Sequence, residues 1–320
     1  MKNSVIMATY NGEKYLIEQL DSIKNQTLPP DEVIICDDCS SDNTCEIIDK
    51  YINQYNLVSW NLYKNEKNIG FFANFLRALR FCTGDVIYLS DQDDIWDENK
   101  LKTFTSKFMI DPSLMMIQSN FKFIDETGNL LKKQEHYHGI VSGDFHTLTV
   151  YEMCKYAGSG YTMSFRKNIA DKIFTMQFDK KKELFKFHDI MLGLMAVSEG
   201  NCLLCRNVID KHRIHDSNVT RKKIKSYISG RTRTMQVDIL KRRFQYFSAM
   251  ESCTDDQEKK KIFHEFSAFS LTRKEFIEKF KVKKLICLIE KRKMYASKVG
   301  VVVDIFYSIG LERVVCLFMR

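Results

Sequence analysis

The sequence predicts an α/β fold: a mostly parallel sheet flanked by helices, followed by a C-terminal helical extension. Three observations carry this. Short apolar runs bounded by turn residues alternate with helical periodicity through the first 90 residues, the pattern of parallel strands joined by right-handed crossovers. Two of those runs end in clustered acids, Asp37-Asp38 and Asp91, Asp93 and Asp94, at the carboxyl ends of strands, where such sheets bind ligands. Beyond about residue 220 the pattern becomes helical and basic, so the chain divides into a 1–220 domain and a 221–320 extension.

Ser4 to Thr9 is a short, apolar, buried-strand run, and Tyr10-Asn-Gly12 breaks it. Leu16, Leu20 and Ile23 then share one helix face, and the helix stops before Pro29-Pro30. Glu32 to Cys36 is the second strand and runs into Asp37-Asp38. Ser40 to Thr44 supplies capping residues for a helix that buries Ile47, Ile48 and Tyr51. A third strand is expected over Val58–Tyr63, then a turn at Asn68-Ile-Gly70. An apolar helix follows over Phe71, Phe72, Phe75, Leu76 and Leu79, and Gly84 ends it. The Asp85–Ser90 strand delivers the acid cluster. A helix from Glu98 to about Met109, a strand from Met115 to Phe123 and a turn at Asp125–Gly128 continue the pattern. Gly158-Ser-Gly160 reads as a loop shaping a pocket wall. His188-Asp189 opens a helix that ends near Gly200, and Val208–Ile214 is the last strand. Tyr227, Met235, Ile239 and Leu240 are candidate buried positions in the extension, whose last forty residues read as one or two amphipathic helices.

At 320 residues, with 44% hydrophobic and 28% charged residues, the chain is an ordinary folded protein. Its 10 cysteines are scattered; Cys202 and Cys205 form a CxxC with no second pair at zinc spacing, so reduced thiols are expected. No secretory signal is visible, and the apolar Val299–Val303 run is cut at Asp304, far short of the ~18 residues of a spanning helix. A cytoplasmic protein, peripheral at the inner face of the cell membrane, is the expectation. The net charge of +8 is concentrated late: nine Lys/Arg against Asp238 between residues 221 and 243, and a second cluster from Lys281 to Lys293. An anionic partner such as a membrane surface fits this asymmetry, as does a solvated helix face.

Three acids in four positions repel one another unless a cation sits among them. Mn2+ or Mg2+ takes oxygen ligands of this kind and keeps positions for substrate phosphates. The competing reading is an acidic turn capping the next helix. There is no G-x-G-x-x-G after the first strand and no P-loop, which sets aside the dinucleotide and P-loop versions of this architecture. His136 and His138, two apart, would share one side of a strand as a metal pair, or are surface residues.

These motifs, in this order, resemble a family 2 glycosyltransferase of GT-A fold, in the rhamnosyltransferase-like branch used for bacterial surface polysaccharides. The matching pieces are Val5–Gly12, Glu32–Asp42, Asn68–Gly70, Asp91–Trp96, His188-Asp189 and His212–Asn218, covering roughly residues 1–220. The resemblance implies that Thr9, Tyr10, Asn11, Asp37 and Asp38 hold the nucleotide, with Asp38 at the base. Asp91 would touch the ribose. Asp93, with Asp94 as its close competitor, would hold the metal on the diphosphate, His215 would join the metal or the diphosphate, and Asp189 would be the catalytic base. The implied reaction is inverting transfer of a sugar from a nucleotide diphosphate donor, UDP- or dTDP-linked, to a hydroxyl of a growing, lipid-linked glycan. A positioned carboxylate takes the proton of a hydroxyl that is otherwise a poor nucleophile. A glycoside hydrolase would instead need two carboxylates flanking the bond. The alternatives are a sugar-1-phosphate nucleotidyltransferase, whose Gly-rich basic loop is missing after strand one, and a non-catalytic nucleotide-sugar-binding protein at a membrane surface.

Overall fold

The computed structural model describes residues 1–131, 144–156, 159–175, 188–216, 218, 232–311 and 314–315. They form two compact units, the first from residues 1–149, 159–175 and 188–214, the second from 150–156 and the described residues from His215 onward. The boundary expected at residue 220, Tyr227, Gly158 and the histidines 136 and 138 lie outside the described residues.

The first unit is built on an eight-stranded sheet. In chain order its elements are β1 (Asn3–Thr9), α1 (Leu16–Lys24), β2 (Glu32–Asp37), α2 (Thr44–Gln54), β3 (Trp60–Lys64), α3 (Phe71–Phe81), β4 (Val86–Ser90), α4 (Lys100–Ile110), β5 (Leu114–Ile124) and β6 (Phe145–Thr147). After the second unit's α5 (Val150–Tyr156) come β7 (Met163–Arg166), α6 (Lys167–Thr175), α7 (His188–Glu199) and β8 (Asn201–Arg213). The strand order is β3-β2-β1-β4-β7-β5-β8-β6. The first four strands are parallel, as the alternation requires. β7 enters antiparallel between β4 and β5, β5 and β8 are parallel, and β6 is an antiparallel edge, so the sheet is mixed.

Every residue of β2 and β4 is buried, the mark of strands covered on both faces. Leu16, Leu20 and Ile23 of α1 are fully buried with Val5, Met7, Val33 and Ile35 in the main core cluster. Two boundaries differ from expectation. β3 begins at Trp60, because Val58 is 87% exposed in the turn after α2, while Trp60 is buried against Tyr51. β8 begins at Asn201, seven residues before Val208, because Cys202, Leu204 and Cys205 are buried as they pair along β5. A register shift between Ser119 and Asn120 separates that stretch from the predicted one.

The second unit is helical: α5, α8 (Arg233–Cys253), α9 (Gln257–Glu278), α10 (Val282–Glu290) and α11 (Gly300–Ser308). Thr232 caps α8 through the Met235 N–H, and Asp256 caps α9 through the N–H groups of Glu258 and Lys259. Leu240, Phe247 and Met250 of α8 and Phe263, Phe266, Phe269 and Phe276 of α9 are buried. Asp304, which cut the last apolar run in the sequence, is fully buried and held by a two-pronged Arg273 contact (2.7 and 2.9 Å) and by the Tyr295 hydroxyl (2.6 Å). Among the described residues, no helix is long and apolar enough to cross a membrane.

Candidate active site

β4 ends at Ser90 and hands the chain to Asp91, Asp93 and Asp94. Ligand atoms from all three carboxyl groups lie within 4.8 Å of one another. Asp93 and Asp94 are buried and Asp91 is half-buried. Burial, and then the charges of Asp94 and Asp93, push the Asp91 carboxyl well above its ordinary range. Asp189 adds to the same push, so its carboxylate stands within electrostatic reach of the cluster. It occupies the first turn of α7, and its Oδ1 accepts the Ile190 N–H at 2.8 Å.

The end of β8 holds this acidic loop almost residue by residue. The Arg213 Nε donates to the Asp93 carbonyl (3.0 Å) and the Arg213 N–H to Asp94 Oδ1 (3.1 Å). The same Asp94 oxygen lies 2.7 Å from His212 Nδ1. Ile95 and Lys211 exchange backbone hydrogen bonds of 2.9 and 2.7 Å. The Asp97 N–H donates to Asp210 Oδ1 at 3.3 Å. Arg213 is fully buried, and its guanidinium also donates to the carbonyls of Asp125 and Glu126 and to Glu18 Oε2 (2.8 Å), with Tyr15 beneath it. One residue thereby joins α1, the turn after β5 and the acidic loop.

Beneath the loop, Lys100 and Asp210 form a buried ion pair of 2.6 Å, with Ser119 donating to Asp210 and the Lys100 ammonium over the Trp96 ring. Burial pulls Lys100 below and pushes Asp210 above its ordinary range, against their mutual attraction. His212 stacks flat on Tyr161 at 4.3 Å. Burial opposes its charge, but Asp94, with Asp93 and Asp91 behind it, lifts its pKa to about 9. Asp94 Oδ2, by contrast, is buried with no hydrogen-bond partner among the described residues. A buried carboxylate oxygen left unsatisfied beside two further carboxylates fits a divalent cation.

The other acidic strand end is built differently. Asp37 accepts from Thr9 Oγ1 (2.8 Å), from the Ser40 N–H (2.8 Å) and from Ser40 Oγ (2.5 Å). Asp38 accepts from Asn65 Nδ2 and the N–H groups of Ile69 and Gly70, each at 2.8 Å. That is why Asn68-Ile-Gly70 turns where it does; Gly70 takes φ +85° there. Tyr10 is half-exposed, and its backbone is bracketed by the Gln92 amide, which accepts from its N–H and donates to its carbonyl. Asn11, at φ +48°, accepts the Ser41 N–H on its side chain. Thr9, Tyr10, Asn11, Asp37 and Asp38 thus lace two neighbouring strand ends into one rim, tied through Gln92 to the acidic loop.

His215 opens the second unit. Its N–H donates to Asn218 Oδ1 (2.6 Å), and its Nε2 lies 3.0 Å from Asn218 Nδ2.

His212 and Arg213 stood inside a matched motif, yet no role was assigned to them from sequence. A cation and a histidine ending a strand beside an acidic one were the available signal. Nothing in the sequence marks Lys100, Asp210, Gln92 or Glu18 apart from solvated polar residues.

The model of the glycosyl transferase family 2 domain matches residues 4–191, more than half of the chain. The chain belongs to that family. A curated relative is the poly(ribitol-phosphate) beta-N-acetylglucosaminyltransferase TarS of Staphylococcus aureus, 40% identical over 104 residues, which are 32% of this chain and 18% of that protein. WfgD of Escherichia coli, a UDP-Glc:alpha-D-GlcNAc-diphosphoundecaprenol beta-1,3-glucosyltransferase, is 25% identical over 226 residues, 69% of this chain and 81% of WfgD. Among solved structures, TarS 1–349 in complex with UDP-GlcNAc superimposes with TM-score 0.64 at 19% identity, covering 100% of this chain and 92% of that one. The Pyrobaculum calidifontis mannosyltransferase PcManGT, in complex with GDP-Man and Mn2+, gives 0.55 at 13% identity, covering 98% and 87%. These likenesses establish the GT-A type of fold expected from the motifs.

Proposed function

We propose that this family 2 member transfers a sugar, with inversion, from a nucleotide diphosphate donor to a hydroxyl of a growing surface polysaccharide. The observation that carries the reading is the convergence of Asp91, Asp93 and Asp94 at one strand end, with Asp189 in electrostatic reach. Asp93 and Asp94 are the residues to hold Mn2+ or Mg2+, and the unsatisfied Asp94 oxygen supports that pair. When bound, the ion supplies Lewis-acid stabilisation of the charge that develops on the leaving diphosphate.

The chain's own residues do the rest. The rim of Thr9, Tyr10 and Asn11 receives the nucleotide. Asp37 and Asp38 shape that rim, Asp38 lying nearest the base, and Asp91 meets the ribose. Asp189 takes the proton of the acceptor hydroxyl as the new bond forms. β8 fixes the acidic loop in place beforehand, so that little reorganisation is left for the reaction. Both the UDP-GlcNAc complex of TarS and the diphosphoundecaprenol acceptor in the name of WfgD support a UDP-sugar donor and a lipid-linked acceptor. Such an acceptor places the protein at the cytoplasmic face of a membrane, its basic C-terminal region towards the anionic surface.

The test is release of nucleoside diphosphate from UDP-, dTDP- and GDP-sugars with Mn2+, Mg2+ or EDTA, for wild type and Asp189→Asn. Metal-dependent turnover of one donor, lost in the variant, is the expected result. Donor binding without turnover, with lipid-linked acceptor present, would overturn it.

A further inference from the structure

The basic residues of the second unit are not equivalent. Arg233 donates to the carbonyls of Ile277 and Glu278, and the half-buried Arg243 donates to the Cys154 carbonyl, so both serve the fold. The segment from Lys279 to Lys293 differs. It carries seven Lys/Arg against one acid, Glu290, and of the seven only Lys284 forms an ion pair among the described residues, with Glu275.

Within that segment α10 is amphipathic in an unusual sense. Leu288 is fully buried and anchors the helix. Val282, Ile286 and Ile289, at i, i+4 and i+7, form a second apolar stripe that faces water: they are 62%, 52% and 46% exposed. Phe280, just before the helix, is 43% exposed as well. Four large apolar side chains clustered in one stretch of surface, ringed by lysines, form a patch that calls for a cover.

We infer that α10 lies flat in an anionic membrane surface, with Val282, Ile286 and Ile289 among the acyl chains and the neighbouring lysines on the lipid phosphates. The charge selects this occupant. A second copy of the chain would bring the same cationic ring against itself, whereas a leaflet of anionic lipid satisfies apolar stripe and cations together. Lysine stems extend the apolar surface while their ammonium groups reach the headgroup level. A helix of nine residues is about 13 Å long, suited to lying in an interface and too short to span one. The inference rests on the proposed lipid-linked acceptor and narrows membrane contact to one helix face.

The experiment is flotation of the full chain with phosphatidylcholine vesicles, with and without phosphatidylglycerol. Two variants are compared with wild type: Val282→Ser/Ile286→Ser/Ile289→Ser, and Lys281→Glu/Lys283→Glu. Wild type should float only with the anionic vesicles, less so at high salt, and each variant should partition roughly tenfold more weakly. The substituted side chains are exposed, so thermal melts should not move; if the triple-serine variant fails to fold, the charge-reversal variant carries the test. Flotation of both variants equal to that of wild type, or no flotation of wild type, would overturn the inference. So would a wild-type dimer that the serine variant dissociates without change in vesicle binding. Donor hydrolysis measured without vesicles separates the two readings: its absence beside intact flotation refutes the proposed reaction alone. Intact hydrolysis beside absent flotation refutes the membrane face alone.

Discussion

The chain carries two acidic strand ends that look alike in sequence and behave oppositely in the fold. At the end of β2, every Asp37 and Asp38 oxygen has a donor: a hydroxyl, an amide or a backbone N–H. These carboxylates are hydrogen-bonded at every oxygen, and they hold the turns around them. At the end of β4, the carboxylates face one another, one oxygen is buried without a hydrogen-bond partner among the described residues, and Asp91 is driven well above its ordinary pKa. Carboxylates with a donor on every oxygen fix local shape; the crowded cluster with an unsatisfied Asp94 oxygen is the cation site proposed above.

The largest effect expected from this difference is on turnover. Asp93→Asn and Asp94→Asn should each lower metal-dependent donor hydrolysis by on the order of 100-fold or more, read as kcat/KM, because they remove charge that works only in a water-poor site. Asp38→Asn should leave divalent-ion affinity within a few-fold of wild type. A comparable loss of ion affinity in all three variants would erase the contrast.

Stability should show the reverse order. Arg213→Ala strips one donor from each of the Asp93, Asp125 and Glu126 carbonyls and leaves the interior short of a guanidinium. It should cost about 3–5 kcal/mol in urea unfolding. Asp38→Asn exposes a smaller deficit, about 1–3 kcal/mol, since the amide oxygen still accepts from Asn65 and Ile69 while the Gly70 N–H falls back on Asn68 Oδ1. Asp91→Asn removes like-charge repulsion and should leave stability unchanged or raise it.

The split was half legible. The fold followed from periodicity: alternating runs, capping residues at Ser40–Thr44 and the break at Gly12 pointed to four parallel strands and their helices. The acid cluster was legible because three like charges in four positions have few structural uses. What stayed hidden was context. Sequence cannot say whether Asp37 will find Thr9 and Ser40, since those contacts depend on β1 lying beside β2. Nor does it show that Arg213 on β8 will reach a loop 120 residues earlier. The start of β8 was missed because its first half reads as a CxxC with leucines, and only pairing with β5 makes it a strand.

The smallest effect concerns pH. Glu32, at the start of β2, is a third satisfied carboxylate: burial works against its charge, yet donors from Ser4, Thr83 and Lys2 hold its pKa down at about 2. A depressed carboxylate contributes fully above its ordinary value near 4.5 and loses that contribution as pH falls towards 2. Unfolding free energy should therefore fall over that window, and Glu32→Gln should flatten the fall. An unchanged pH profile in the variant would remove Glu32 from the satisfied class.

Calorimetric titration of Mn2+ into the UDP-loaded protein tests the central contrast most directly, with wild type, Asp93→Asn/Asp94→Asn and Asp38→Asn side by side. Binding near one ion per chain in wild type and Asp38→Asn, abolished in the double variant, is the predicted result. Undiminished binding in the double variant would contradict the assignment of the β4 acids as the cation site.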